Sequence, residues 1–85
     1  MEQFQYRIKD EVGMHARPAG LLVREASKYS SAIQISHQDK TGDAKSILGV
    51  MGLGVSKGDM ITMNIEGADE KEAAWELKQF FQNNL

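Results

Sequence analysis

Cysteine is absent from the 85 residues, which excludes disulfides and thiol chemistry and leaves the redox compartment open. No apolar run approaches the roughly 20 residues of a membrane span. The opening Met1-Glu2-Gln3-Phe4-Gln5 lacks the basic start and apolar stretch of a secretory signal. These absences lead to the expectation of a cytoplasmic protein without membrane insertion. Positive charge is not in excess either. Ten Lys and Arg against twelve Asp and Glu leave a formal charge of −2, which gives no footprint for direct nucleic-acid binding. The only histidines, His15 and His37, sit in unrelated segments, so no metal site is expected, and no cofactor. Length is also in short supply. Separate cores need roughly 50 or more residues each, so residues 1–85 are read as one domain. A chain this short has little room for a deep cavity, and its function should lie on its surface.

What the chain does contain is clear periodicity. Phe4, Tyr6 and Ile8 alternate with Gln5, Arg7 and Lys9, the period of a half-buried strand. Ile33 and Ile35 repeat the pattern, as do Ile61, Met63 and Ile65, while Gln38-Asp39-Lys40 turns the chain towards a weaker strand between them. Each strand keeps one polar face, which predicts an antiparallel sheet covered on one side. Helices are predicted from Ala16 to about Lys28, where Ala19, Leu22, Val23 and Ala26 form an apolar stripe, and behind Asp69. There Asp69 and Glu72 resemble a capping box, followed by Ala73, Ala74, Leu77, Phe80 and Phe81 facing the core. A third, short helix is predicted between Ser46, placed as its N-cap, and Leu53. The class is α+β in the order β-α-β-β-α-β-α: an open-faced sandwich of four antiparallel strands with three helices on one face.

The only proline, Pro18, is tolerated in a helix only in its first turn. That places His15, in Gly13-Met14-His15-Ala16-Arg17-Pro18-Ala19, at or just before a helix start. Helix N-termini present unpaired N–H groups and a partial positive charge, and together these bind phosphate. The N–H groups of Ala16 and Arg17 would face a group carried by His15, and the Arg17 guanidinium suits phosphate oxygens. Imidazole, with an unperturbed pKa of about 6.5, is a capable nucleophile near neutrality. Taken alone, a histidine at a helix start is more often an ordinary capping or surface residue.

The segment Lys45-Ser46-Ile47-Leu48-Gly49-Val50-Met51-Gly52-Leu53-Gly54 divides into two faces. At about 100° per residue, Ile47, Leu48 and Met51 share one side and Val50 and Leu53 the other. If Val50 and Leu53 pack inwards, the first three form an exposed apolar patch of the kind that marks a partner surface. Arg17, Gly20 and Arg24 fall at i, i+3 and i+7 along one helix face and suggest a basic rim for an acidic partner. His37, near a strand end, is expected on the surface, and Trp75, about 200° from Ala73, off the apolar stripe.

Over essentially its whole length the chain resembles the HPr family of histidine-containing phosphocarriers of the bacterial phosphoenolpyruvate-dependent sugar phosphotransferase system. The specific matches are Gly-Met-His-Ala-Arg-Pro-Ala at 13–19 and Lys-Ser-Ile-Leu-Gly-Val-Met at 45–51, with Gly67-Ala68-Asp69-Glu70 as a weaker third. The resemblance implies a monomeric carrier, not an enzyme with turnover of its own. Enzyme I would phosphorylate it on Nδ1 of His15, with Arg17 holding the phosphoryl group, and IIA-type permease domains would receive that group. It further implies a regulatory site at Ser46, the target in many low-GC Gram-positive bacteria of HPr kinase/phosphorylase. The product of that reaction acts with a catabolite-control transcriptional regulator. Gly20, Arg24, Ile47, Leu48 and Met51 would then form the docking surface. Two positions depart from the familiar pattern: Gly52 replaces a serine, and Gly20 an alanine or threonine. The alternative is a paralogue acting mainly in regulation or in the nitrogen-related branch. A paralogue lacking the histidine is excluded by His15, and residues 45–51 resemble the sugar carriers more closely.

Overall fold

The computed structural model describes all residues from Met1 to Leu85. Its elements are β1 (Glu2–Arg7), α1 (Ala16–Ala26), β2 (Ala32–His37), β3 (Lys40–Asp43), α2 (Ile47–Met51), β4 (Met60–Glu66) and α3 (Glu70–Asn84). The strands form one antiparallel sheet in the order β1-β4-β2-β3. This is the α+β arrangement that the two periodicities predict.

Register decides which face is buried. Met63 pairs with Phe4 on one side and Ile35 on the other, so alternate positions line up in rows across the sheet. Ile33, Ile35, Ile61, Met63 and Ile65 are buried on the inner face. On the outer face the side chains pair with one another, Gln3 donating to Asn64 and Gln5 to Thr62. A slip of one residue would exchange these faces, so the pattern itself fixes the register.

The helices cover the inner face and close a core of 19 buried residues. Phe81 is fully buried, with its ring 6.1 Å from Phe4 and 5.4 Å from Tyr6. A buried phenylalanine is worth about 1.5–3 kcal/mol of transfer free energy, and this one ties α3 to β1. On the other side α2 sits on β3. A Cβ on Gly42 would fall 2.4 Å from the Gly49 carbonyl oxygen, so this close approach excludes any side chain at position 42.

Three expectations are revised. α1 ends at Ala26 rather than near Lys28, because Ser27 caps it, its N–H and Oγ both donating to the Val23 carbonyl. The capping box at Asp69 does not form. Asp69 is the N-cap of α3 but makes no side-chain cap bond. Its carboxylate instead accepts from the N–H groups of Ser30 and Ser31 and the Ser31 hydroxyl, and so ties the start of α3 to the entry of β2. His37, expected on the surface, is 93% buried by its 7% exposure. Its Nδ1 lies 2.9 Å from the Leu53 carbonyl oxygen and its Nε2 3.0 Å from an Asp59 carboxylate oxygen. It lies on the core face of β2, in line with Ile33 and Ile35. There a polar ring is tolerated because each nitrogen has a polar partner within hydrogen-bond distance.

Candidate functional site

The turn before α1 is built from the backbone up. Asp10 Oδ2 accepts from the N–H groups of Val12 and Gly13, at 3.0 and 3.1 Å, an aspartate turn that reverses the chain. Gly13 sits at φ +79°, and a Cβ there would lie 2.6 Å from the Val55 carbonyl oxygen. Only glycine combines that dihedral with that contact. The Met14 N–H donates to the same Val55 oxygen at 3.0 Å, and the Met14 side chain is buried. The residues after α2 therefore form the floor on which the turn rests.

His15 is the N-cap of α1, with an extended backbone at φ −97° and ψ −177°. Its carbonyl accepts from Ala19, while its side chain makes no capping bond and is 37% exposed. Its Nε2 lies 3.6 Å from Asp10 Oδ2. Ala16 and Arg17 open the helix, and their N–H groups have no acceptor within the chain, as the first turn of any helix dictates. Pro18 follows, buried, where a missing N–H costs nothing. The Arg17 guanidinium is exposed and within ion-pair distance of none of the chain's carboxylates.

The second motif divides its faces as its periodicity predicts, although the helix ends at Met51, with Gly52 as its C-cap, rather than at Leu53. Ser46 is the N-cap of α2, its hydroxyl oxygen accepting from the Gly49 N–H at 3.2 Å. Val50 and Leu53 are buried, while Ile47, Leu48 and Met51 are 42%, 82% and 39% exposed, so the apolar patch is real. Helices α1 and α2 pack against each other. Arg17 and Arg24 are exposed and Gly20 half-buried along α1. Trp75 is exposed, as expected.

Two residues at the site escaped the sequence reading. Leu21 is exposed on α1 and shares a surface groove with Arg24 and Phe80. Its position four residues after Arg17 was the available signal. Asp10 reaches His15 through the turn it organises. An aspartate three residues before a glycine is a turn signature, though nothing in that spacing points to the ring beyond it.

The family model for the "PTS HPr component phosphorylation site" matches residues 2–83. Phosphocarrier protein HPr of Mycoplasma genitalium is 44% identical over 85 residues, covering 99% of this chain and 97% of that protein. Among solved structures, HPr of Thermoanaerobacter tengcongensis superposes with a TM-score of 0.92 at 44% identity, covering 96% of this chain and 92% of that one. A Mycoplasma histidine-containing phosphocarrier protein gives 0.90 at 43%, covering 93% and 90%. What the fold and these likenesses define is a small phosphocarrier protein. The chain belongs to the HPr family, the phosphoryl carriers of the phosphotransferase system.

Proposed function

We propose that His15 is the phosphoryl acceptor, loaded by Enzyme I and unloaded by IIA-type permease domains. The chain acts as a monomeric, single-domain cytoplasmic carrier with no turnover of its own. The observation that carries this reading is the state of His15. It caps α1 through its backbone alone, and its part-exposed ring stands at the start of a helix whose Ala16 and Arg17 N–H groups have no acceptors and whose Arg17 guanidinium has no ion-pair partner.

The chemistry follows from that arrangement. A lone pair on Nδ1 attacks phosphorus while the bond to the donor group breaks. The phosphoryl oxygens then meet the Ala16 and Arg17 N–H groups and the Arg17 guanidinium, as charge-assisted bonds to a dianion require. His15 lines none of the chain's four surface grooves, so a group on it faces solvent or a docked protein. A carrier needs that exposure, because donor and acceptor must reach the same atom in turn. Ile47, Leu48 and Met51 supply the apolar contact for docking, and Arg17, Gly20 and Arg24 the rim that meets acidic side chains. Ser46 lies beside this patch, and its phosphorylation by HPr kinase/phosphorylase, with readout by a catabolite-control regulator, is the regulatory layer of the proposal.

Incubation with Enzyme I, magnesium and phosphoenolpyruvate, followed by intact mass, tests the reading. The chain should gain one acid-labile phosphoryl group, and His15→Ala should gain none while keeping its fold. Uptake by His15→Ala equal to that of the parent protein would defeat it.

A further inference from the structure

The carboxylate of Asp10 is the only acidic group within ion-pair distance of His15, at 3.6 Å from Nε2. It is also held in place. Its Oδ2 accepts the Val12 and Gly13 N–H groups, and the Asp10 N–H donates to an oxygen of the buried Leu85 at 2.8 Å. The neighbouring Lys9 N–H donates to that same oxygen. The carboxylate is therefore a fixed feature of the turn rather than a wandering surface charge. A neutral imidazole carries its proton on one nitrogen and a lone pair on the other. A carboxylate beside Nε2 attracts an N–H there and repels a lone pair. The contact is longer than a hydrogen bond, so it acts as a charge on a dipole.

Resting on the reading of His15 as acceptor, we propose that Asp10 is a positioning residue for phosphoryl transfer: it holds the His15 proton on Nε2 and so leaves the Nδ1 lone pair as the nucleophile. Nδ1 is the ring nitrogen one bond nearer the backbone than Nε2, the nitrogen that faces Asp10. In the transfer step the Nδ1 lone pair forms the N–P bond. The bond from phosphorus to the phosphorylated donor protein breaks, and its electron pair leaves with the donor. Nε2 keeps its proton, so the ring becomes cationic, and Asp10 faces that new charge. A carboxylate that orients a nucleophilic or ligating imidazole through its second nitrogen is a recurring device. Here it comes from the loop preceding the helix. The turn bonds serve two ends at once: they order residues 10–13 and they aim the carboxylate.

The test is the tautomer of unphosphorylated His15, read from nitrogen-15 shifts and couplings at a pH where the ring is neutral. The parent protein should be dominated by the Nε2–H form. Asp10→Asn keeps an oxygen for the Val12 and Gly13 N–H groups but removes the charge. It should lower the Nε2–H to Nδ1–H ratio by about two- to fivefold, the size of effect an exposed charge contact supports. It should also slow phosphoryl uptake by a similar factor. Asp10→Ser, a second short acceptor for the turn, should reproduce the change, and the Val12 and Gly13 amide shifts show in each variant that the turn persists. A parent protein whose neutral His15 is mainly the Nδ1–H form overturns the proposal without recourse to any variant. So does an unchanged ratio in a variant whose turn persists. Because the tautomer is measured without phosphoryl transfer, these failures are separate from a failure of His15 to accept phosphate.

Discussion

An arginine at position 17 differs from a lysine in geometry rather than in charge. The guanidinium offers a planar fork that meets two phosphoryl oxygens together, whereas an ammonium is a point charge on a flexible stem. Arg17 is exposed and without an ion-pair partner in the chain, so its substitution should leave stability almost unchanged. Arg17→Lys is expected to slow transfer from Enzyme I by about tenfold, the equivalent of about 1.4 kcal/mol in the barrier. Rapid-quench kinetics would read this, and equal rates for the two proteins would remove Arg17 from the mechanism. Asp69 supports a prediction of a different kind. The Ser31 hydroxyl, then the Ser30 and Ser31 N–H groups, stabilise its ionised form and lower its pKa from the ordinary 3.8 to about 2. A depressed carboxylate pKa contributes stability that is fully present above the unfolded value and lost as pH falls through the folded one. Denaturation midpoints should therefore decline between about pH 5 and pH 2. Asp69→Asn should flatten that part of the curve and be less stable near neutrality. Parallel acid profiles for the two proteins would contradict this. Asp69 was legible as a helix start but not as a tether, because Ser30 and Ser31 lie in a distant stretch of the sequence.

At the scale of the element, α2 shows how a five-residue helix serves two masters. Leu53, just past its end, is 4% exposed, whereas Leu48 is 82% exposed. Leu53→Ala should cost about 2–5 kcal/mol, as core truncations do. Leu48→Ala should cost no more than about 0.5 kcal/mol yet weaken binding to Enzyme I several-fold. Chemical denaturation and calorimetric titration separate the two effects. A large stability loss for Leu48→Ala with binding intact would reverse the assignment of faces. This division was readable from periodicity, because a short helix has one side to bury and the angles between residues settle which. The role of His37 was not readable. Its partners, the Leu53 carbonyl and the Asp59 carboxylate, come from the loop between α2 and β4, and a strand-end histidine carries no local mark of such a pairing. The same loop supplies the Val55 oxygen beneath Gly13. His37 therefore holds the segment that forms the floor under the His15 turn from both sides of Val55.

On the scale of the whole molecule, a formal charge of −2 means that the proposed recognition must rest on a local rim, here Arg17 and Arg24 around an apolar patch. Phosphorylation of Ser46 adds roughly −1.5 to −2 charges beside that patch. At a helix N-cap the added charge suits the helix dipole, so stability should hold or rise by up to about 1 kcal/mol. The effect should appear in association instead, where like charges meet across a desolvated interface. Ser46→Asp, with about half the charge, should weaken binding to Enzyme I several-fold at low salt and less at high salt, where screening shortens the reach of the charge. Loss of binding that is indifferent to salt, or a destabilised fold, would contradict this reading. The fold was legible because strand and helix periods occupy separate stretches and the Gly13–Ala19 motif marks a helix start. Asp10 was missed because its bearing on His15 depends on a turn in three dimensions. The central claim is that one atom, Nδ1 of His15, carries the phosphoryl group. The most direct measurement is phosphorus–nitrogen coupling in the phosphorylated protein labelled with nitrogen-15 in its two histidines. The account predicts a single phosphorus resonance coupled to Nδ1 of His15. Coupling to His37, or a phosphoryl group bound to oxygen with none on His15, would contradict it.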